Sequence, residues 1–439
     1  MPVKLAAYYL PGAENSGKAL IRITNTNTTP VTVNGTLYHA SGQLLGIANS
    51  VLIPTLAPQA TVELTTTDLA KLCKAPTWTG LAWLHITTPN GLKMLNLLEN
   101  DNKMISNFST IANDNVLYNL PASTSSAQAN VVLINTSDNI QSVTATLYSD
   151  TGQILGKANT TLADVAARGI FIISIKQLEL LVGTTPWIDH VAKLRLTTAS
   201  NTIKMMSTLL SSDATVTNLT PTHDNAVFNL PGATNLDQAF VYISNTTDSA
   251  MSVRATLYHQ DGYLLGNPNT IIINNLAPQA TQTLSVSDVE KLFNVPTWEK
   301  RARLMITAPT TGIKVMALIH NDSSVSNLST VTSNQMYYLP DATHADKAYI
   351  RIANVSNVPV TVTGIIYAEN GQILGSGTLV SSLAAQTITV LSMPILSDLL
   401  KVSGWTGKAR LVLNPSGLQV MSTLRSSTGQ LLDMSDVQE

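Results

Sequence analysis

A segment of about 110 residues occurs four times along this chain of 439 residues. A Leu-Pro pair, a tyrosine before a glycine-containing turn and a tryptophan each recur in every copy. Their positions are Pro11, Pro121, Pro231 and Pro340; Tyr38, Tyr148, Tyr258 and Tyr367; and Trp78, Trp187, Trp298 and Trp405. Three markers that share one period predict four units of one fold. We place these units at residues 1–110, 111–220, 221–330 and 331–439.

Each unit has the pattern of short β-strands joined by turns. "ALIRITN" (19–25) alternates apolar and polar residues, as a half-buried strand does, and "VTVNGTLY" (31–38) follows it. Asn25 lies between them and recurs in all units, which predicts a turn role. The segment 65–78 begins with capping residues and ends after Pro76, which predicts one helix. The predicted fold is all-β: four tandem immunoglobulin-like β-sandwich repeats, each with one short helix. A jelly roll is the less favoured alternative.

Composition excludes some classes of partner. Charged residues make up 12% of the chain, and 25 Lys and Arg nearly balance 27 Asp and Glu. This is a poor electrostatic match to nucleic acid or to an anionic membrane. No run of 18 apolar residues predicts a membrane-spanning helix. The neutral polar surface favours an extracellular or cell-surface location with a removed signal peptide; a cytoplasmic location is the alternative.

The sequence has no motif of a known catalytic site. We find no G-x-S-x-G elbow, P-loop or dinucleotide fingerprint, and the seven histidines are scattered. The single cysteine, Cys73, aligns with Phe293 of the third unit, which predicts a packing role. We therefore predict that the protein is not an enzyme and uses no cofactor.

Two recurrent features near the unit boundaries have more than one interpretation. Acidic and amide residues gather in "ENDNK" (99–103), "ANDN" (112–115), "THDN" (222–225) and "HNDSS" (320–324). Solvated loops are the first interpretation, and Ca²⁺ at the domain junctions is the alternative. Glycosylation sequons begin at Asn107, Asn218 and Asn327, but the fourth unit has Asp433 there. That replacement favours a structural role over glycan attachment.

The four units resemble the tandem immunoglobulin-like repeats of bacterial extracellular and surface-filament proteins, and the resemblance covers the whole chain. It rests on architecture and polar composition. It implies a non-enzymatic structural protein at the cell surface.

The two ends of the chain match each other within the repeat. Asp433 aligns with Asn107, so the chain stops almost where it starts. A head-to-tail contact between molecules would then nearly reproduce an internal junction, and such a contact makes a filament when it does not close. Strand addition by "KLAAYYLP" is a second route. The predicted assembly residues are Leu5, Tyr8, Tyr9, Leu10, Met434 and Val437. The alternative is a chain cut at a repeat boundary.

Together these patterns predict a self-assembling subunit of a surface filament, fibre or sheath, present as a homo-oligomer or homopolymer. The alternative is an adhesin or carbohydrate-binding protein. In that case the hairpin tips, such as "HASG" (39–42) and "HQDG" (259–262), would contact a glycan or another surface ligand.

Overall fold

The structure is a computed structural model. It describes residues 4–12, 18–87, 90–100, 105–112, 114–125, 128–187, 191–198, 201–212, 215–321, 324–341, 347–426, 429–435 and 437–438. Within these residues the chain forms eight four-stranded antiparallel sheets and four short helices. Two sheets and one helix make up each repeat. The prediction of four β-sandwich repeats with one short helix each is confirmed.

The strands and helices follow the same order in every repeat. Repeat 1 contains β1 (Lys4–Pro11), β2 (Lys18–Asn25), β3 (Val31–His39), β4 (Leu44–Leu56), β5 (Thr61–Thr65), α1 (Thr66–Cys73), β6 (Leu81–Thr87), β7 (Leu92–Glu99) and β8 (Ile105–Asn107). Repeat 2 contains β9 (Val116–Pro121), β10 (Gln128–Asn135), β11 (Gln141–Tyr148), β12 (Ile154–Val165), β13 (Ile170–Ser174), α2 (Ile175–Val182), β14 (Val191–Thr198), β15 (Ile203–Leu210) and β16 (Val216–Asn218).

The other two repeats match them element for element. Repeat 3 contains β17 (Ala226–Pro231), β18 (Gln238–Asn245), β19 (Met251–His259), β20 (Thr270–Leu276), β21 (Thr281–Ser285), α3 (Val286–Phe293), β22 (Arg301–Ala308), β23 (Ile313–His320) and β24 (Val325–Asn327). Repeat 4 contains β25 (Gln335–Leu339), β26 (Lys347–Ala353), β27 (Val360–Ala368), β28 (Ile373–Leu383), β29 (Ile388–Ser392), α4 (Met393–Leu399), β30 (Ala409–Asn414), β31 (Gln419–Arg425) and β32 (Leu431–Asp433).

The sheet order is the same in each sandwich. In repeat 1 the sheets are β1-β6-β3-β4 and β5-β2-β7-β8. The second strand pairs with the fifth and the third with the sixth, as in an immunoglobulin sandwich. The first strand pairs with the sixth and the seventh with the second, which differs from the immunoglobulin order. Alternate residues of each strand point into the sandwich, so that Ile21, Ile23 and Leu37 are fully buried.

A buried asparagine fixes the turn after the second strand. The Asn25 amide donates to the carbonyls of Thr29, Leu56 and Ala57, and its Oδ1 accepts from the backbone of Asn27. Asn135, Asn245 and Asn354 make the same four contacts. One side chain thus satisfies backbone groups that would otherwise be buried without partners. The predicted turn role of this residue is confirmed.

Each helix begins at a residue that the sequence marks as a cap. Thr65, Ser174 and Ser285 form capping boxes with Asp68, Gln177 and Asp288. Helix α4 differs because the Ser392 side chain makes no cap hydrogen bond and a proline lies in its first turn. After the helix the recurrent tryptophan packs into the core. The indoles of Trp78, Trp187 and Trp298 donate to the carbonyls of Leu10, Leu120 and Leu230.

The four sandwiches form a closed ring. The short last strands, β8, β16, β24 and β32, lie at the centre and contact each other in that cyclic order, with β32 also against β8. The apolar core of repeat 4 includes Leu20, Leu95, Leu97 and Ile105 of repeat 1. A contact between unlike faces that closes after four units gives a ring, whereas one that fails to close gives a fibre.

Candidate functional site: the junctions of the ring

One backbone hydrogen bond recurs at every junction between repeats. The hairpin tip after the third strand offers a carbonyl, and the first residue of the fifth strand in the next repeat donates its N–H. The pairs, each 2.8 Å long, are Ile170 to Ala40, Thr281 to Asp150, Ile388 to Gln260 and Thr61 to Glu369. The last pair joins repeat 4 to repeat 1, and we call this contact the closing junction. The same geometry therefore holds with and without a covalent link between neighbours.

A second contact lies beside each of these bonds. A long side chain of the sixth strand reaches the next repeat. Trp83 donates to the Arg168 carbonyl at 2.6 Å, and Lys193 donates to the Asn245 carbonyl at 2.8 Å. Arg303 and Arg410 donate to the side chains of Gln386 and Gln59.

The recurrent tyrosine of the sequence lies against this side chain in every repeat. Tyr38 stacks on Trp83. In the other repeats the cation lies over the tyrosine ring, and the pairs are Lys193 over Tyr148, Arg303 over Tyr258 and Arg410 over Tyr367. The tyrosine that marks the repeat is thus an interface residue of the ring.

The hairpin tips take part in these junctions. A Cβ atom on Gly42 would collide with the backbone of Ala167, and one on Gly371 with that of Pro58. Both glycines have a positive φ, which other residues rarely adopt. The structure therefore places the tips, which the sequence suggested as ligand-contact loops, against the neighbouring repeat.

The closing junction is charged. Arg22 is 1% exposed, and its guanidinium lies 2.9 Å from Glu63 and 2.8 Å from Glu369. Lys408 also pairs with Glu63, and both cations lie 5.4 Å from the centre of the Tyr338 ring. Burial raises the pKa of Glu63, but the hydrogen bonds and charges of Lys408 and Arg22 outweigh it, so that the pKa is lowered overall.

The last residues of the chain complete repeat 1. Gln438 and Met94 exchange two backbone hydrogen bonds of 2.9 and 3.1 Å. The pairs His223–Val315 and Thr332–Val420 do the same in repeats 3 and 4, and the Ala112 N–H donates to Met205 in repeat 2. The end of repeat 4 thus supplies to repeat 1 the pairing that repeats 2, 3 and 4 make with the residues before their own first strand. The sequence predicted this match of the two ends, but between molecules; the structure makes the contact within one chain.

The predicted assembly residues pack inside the ring. Leu5 and Leu10 belong to the core of repeat 1, Tyr8 lies in an apolar cluster between repeats 1 and 2, and Tyr9 stacks on Phe108. Burial raises the pKa of Tyr8 to about 12. Met434 and Val437 pack with Leu95, Leu97 and Ile105 of repeat 1. Met434 and Val437 thus lie at the closing junction within one chain, and contacts of these six residues between molecules remain a prediction.

The central strands bring four related polar residues together. Asn107, Asn218, Asn327 and Asp433 line a cavity of about 30 Å³ at the middle of the ring. Asn218 donates to the carbonyl of Thr110 and Asn327 to that of Asn218, each in the preceding copy. Asp433 instead accepts from Thr330 at 2.9 Å and from the Ser435 N–H at 2.8 Å. Burial, partly opposed by these bonds, raises the pKa of Asp433 to about 6. The structural interpretation of the sequons agrees with this geometry.

The junction between repeats 2 and 3 contains a cleft of about 620 Å³. Its floor is the outer face of the β21-β18 pair, where Phe240, Tyr242 and Thr283 point away from the core. Its wall includes Asp150 and Thr151 of the hairpin tip of repeat 2. We call it the 2–3 cleft. Its size lies within the range of small-molecule sites.

The remaining chemical groups have structural surroundings. Among the described residues no three His, Cys, Asp or Glu side chains are placed to hold a metal ion. Cys73 is fully buried, and burial raises the pKa of its thiol, as the predicted packing role requires. Asp114 and Asp224, from two of the predicted acidic segments, line one cavity, but Asp224 pairs with Lys314 and Asp114 accepts from Tyr118. Asp101, Asn113, His190, Asp322 and His344 lie outside the described residues. Calcium at the junctions remains a prediction.

Sequence reasoning missed the ring itself, the charged closing junction and the 2–3 cleft. The signal for the first was present in the matching ends of the chain. The signal for the charged junction and the cleft was variation between repeats at equivalent positions. Repeat 1 has Arg22 and Glu63 where repeat 2 has Val132 and Ile172.

Comparison with known proteins adds little to this description. No protein-family model and no curated protein matches the chain. A solved structure titled "Biofilm associated protein - BSP domain" aligns over 99% of this chain and 92% of its own, with 11% identity and a TM-score of 0.15. In the part of the chain that the structure describes, the helices are all too short or too polar to span a membrane.

Proposed function

We propose that this chain is a non-enzymatic structural protein of the cell surface, and that its ring is the subunit of a filament, fibre or sheath. The observation that carries the proposal is the match between the closing junction and the internal junctions, because a contact made without a covalent link is open to exchange between molecules. Every repeat is held on both sides, which suits a rigid building block. The polar, weakly charged sequence supports an extracellular location.

Growth through the termini has a specific structural requirement. The C-terminal segment, through Val437 and Gln438, already contacts repeat 1 of its own molecule. A terminal contact between molecules therefore needs an exchange, in which this segment leaves its own repeat 1 and enters that of the next molecule. Such swapping reuses a contact that is already favourable. Stacking of intact rings through their faces is the other route to a fibre.

A disulfide across the closing junction tests the proposal. We would change Met94 and Gln438 to cysteine in a Cys73→Val background, because Val182 ends the equivalent helix of repeat 2. Negative-stain electron microscopy at rising concentration would compare the oxidised and reduced forms. We expect single rings at low concentration and fibres at high concentration.

The outcomes separate the two routes and test the role itself. Fibres of the reduced form alone would show segment exchange, and fibres of both forms would show stacking of rings. Single rings at every concentration in both forms would overturn the proposal of a fibre subunit. Extended rods of four beads would overturn the ring.

A second candidate function is an adhesin or carbohydrate-binding protein. The 2–3 cleft favours it, because aromatic and neutral polar side chains line an open site between two repeats. The hairpin tips support it less, since they contact the neighbouring repeat.

A further inference from the structure

Four equivalent positions distinguish the 2–3 cleft from the closing junction. At the closing junction they are Arg22, Glu63, Glu369 and Lys408, which pair with one another. At the 2–3 cleft they are Tyr242, Thr283, Asp150 and Val191. The equivalence follows from strand register and from the shared hydrogen bonds of the tip carbonyls of Glu369 and Asp150. Charged side chains of both signs thus pair across one junction, whereas three neutral side chains and Asp150 line a cleft in the other.

The other two junctions also carry bulkier or more apolar sets. Between repeats 1 and 2, Leu81 and Val132 pack in a cluster with Tyr8 and Trp83. Between repeats 3 and 4 the equivalents of Tyr242 and Val191 are Arg351, which is buried, and Arg301, which pairs with Asp237 at 2.8 Å. A feature of one repeat that the fold itself does not require is a better candidate for function than a feature of all four.

The chemistry of the 2–3 cleft indicates its class of ligand. Phe240 supplies aromatic surface beside the edge of the buried Tyr242, and Thr151, Asn275, Gln282 and Thr283 supply hydroxyl and amide groups. Asp150 is the one charged residue among those that line the cleft. Aromatic rings pack on apolar C–H surface, while amides, hydroxyls and a carboxylate bond to hydroxyl groups. A sugar ring presents both surfaces at once.

Other ligand classes fit less well. An anionic ligand would meet Asp150 and no cation among the lining residues. A peptide that adds a strand needs the backbone edge of β21, but the first N–H of that edge already donates to Asp150. The floor presents side chains of two paired strands, which suits a ligand that lies flat on the sheet.

We propose that the 2–3 cleft binds a neutral oligosaccharide, with Phe240 against the sugar face and Asp150, Asn275 and Thr283 bonded to its hydroxyls. This inference deepens the second candidate function and does not depend on fibre formation. A ring that binds sugar without assembling, or assembles without binding sugar, would separate the two.

The test uses the full chain and defined probes. Cellohexaose, maltohexaose, chitohexaose and mannohexaose represent neutral sugars, oligogalacturonate represents anionic ones, and a threonine-valine hexapeptide represents an added strand. Saturation-transfer NMR would detect binding, and calorimetry would measure affinity. We expect at least one neutral hexasaccharide to bind and the other two probe classes to give no signal.

Two variants close the cleft in different ways. The first grafts the closing junction onto it with Tyr242→Arg, Thr283→Glu, Asp150→Glu and Val191→Lys. The second, Thr151→Lys, changes one exposed residue at the mouth, and it should melt at the temperature of the parent. We expect each to weaken sugar binding by about tenfold or more, because longer side chains then occupy space that the ligand needs. The control is Tyr263→Ala, an exposed aromatic outside the cleft, which should bind as the parent does.

The proposal is overturned by any of three results. The first is that none of the neutral sugars binds. The second is that sugar binding survives Thr151→Lys and, in a graft that melts like the parent, the four-residue change as well. The third is that only oligogalacturonate or the hexapeptide binds. Loss of sugar binding in both cleft variants, with unchanged binding in Tyr263→Ala, supports the proposal.

Discussion

The closing junction and the junction between repeats 2 and 3 share a backbone and differ in side chains. Both have the tip carbonyl bonded to the first N–H of the fifth strand at 2.8 Å. The chain itself joins repeats 2 and 3, so their effective concentration is high without further contacts. Repeats 4 and 1 have no direct peptide link, and their junction carries a buried arginine between two carboxylates. The comparison teaches that the backbone sets the ring, while side chains adjust each junction to its role.

The largest expected effect on stability comes from removing the last strand and the residues that follow it. Deletion of residues 431–438 exposes the apolar surface that Leu431, Leu432 and Met434 cover, and each such side chain contributes about 1.5–3 kcal/mol when buried. We expect the free energy of unfolding to fall by about 5 kcal/mol or more, measured by urea denaturation. Gln438→Ala is the control, because it keeps the backbone pairing. Because the deletion also removes β32 from the sheet of repeat 4, equal stability of the deletion and the parent would contradict both the packing of the last strand and the closure of the ring.

At the centre of the ring, repeat 4 differs from the other repeats by a titratable residue, Asp433, in the place of asparagine. Its pKa is raised to about 6 in the folded protein, above the ordinary value of 3.8, so the folded state binds this proton more tightly than the unfolded state. Its contribution is therefore fully present below pH 3.8 and is lost as the pH rises to about 6. Asp433→Asn, which copies Asn107, Asn218 and Asn327, should stabilise the protein by about 3 kcal/mol above pH 6.

Thermal unfolding of parent and variant between pH 3.5 and 8 checks this linkage. The gap between the two curves should open as the pH rises from 4 to 6 and stay constant above that. A gap that is independent of pH would contradict the assigned origin of the effect.

The charge of the closing junction predicts a dependence on salt. Arg22→Ala leaves Glu63 and Glu369 without their buried partner, and we expect a loss of about 2 kcal/mol. The loss is less than for a fully buried pair because these carboxylate side chains are 26% and 44% exposed. Val132→Ala, at the equivalent position between repeats 1 and 2, should cost about 1 kcal/mol through lost packing. Only the arginine effect should shrink in 1 M NaCl, measured by urea denaturation.

The smallest effect separates repeat 4 from the others at its helix. Ser285→Ala removes a capping box and should cost about 1 kcal/mol. Ser392→Ala should be nearly neutral, because that side chain makes no cap hydrogen bond. Thermal unfolding of the two variants gives the difference directly, and equal losses would contradict the contrast between the caps.

The repeats and their local structure were predictable from sequence, and the ring was not. Turn asparagines, caps and strand alternation act over a few residues, so the neighbouring sequence is enough to predict the roles of Asn25 and Thr65. Ring closure depends on the angle between neighbouring sandwiches, accumulated over four junctions. Arg22 and Glu369 are separated by 347 positions, and no local pattern links them. The 2–3 cleft is harder to predict than the ring, because it is the space that the side chains of Tyr242 and Thr283 leave unfilled.

The contact between the two ends has a consequence for the order of the chain. Gln438 accepts a hydrogen bond from the Ala6 N–H through its side chain at 3.2 Å, so the first strand and the last residues lie side by side. A short linker between them would make the polypeptide circular, and a cut at any other junction would then give a permuted chain with the same ring. The ring therefore does not require a particular repeat to come first in the chain. Four such permutants would show whether folding depends on which repeat is synthesised first.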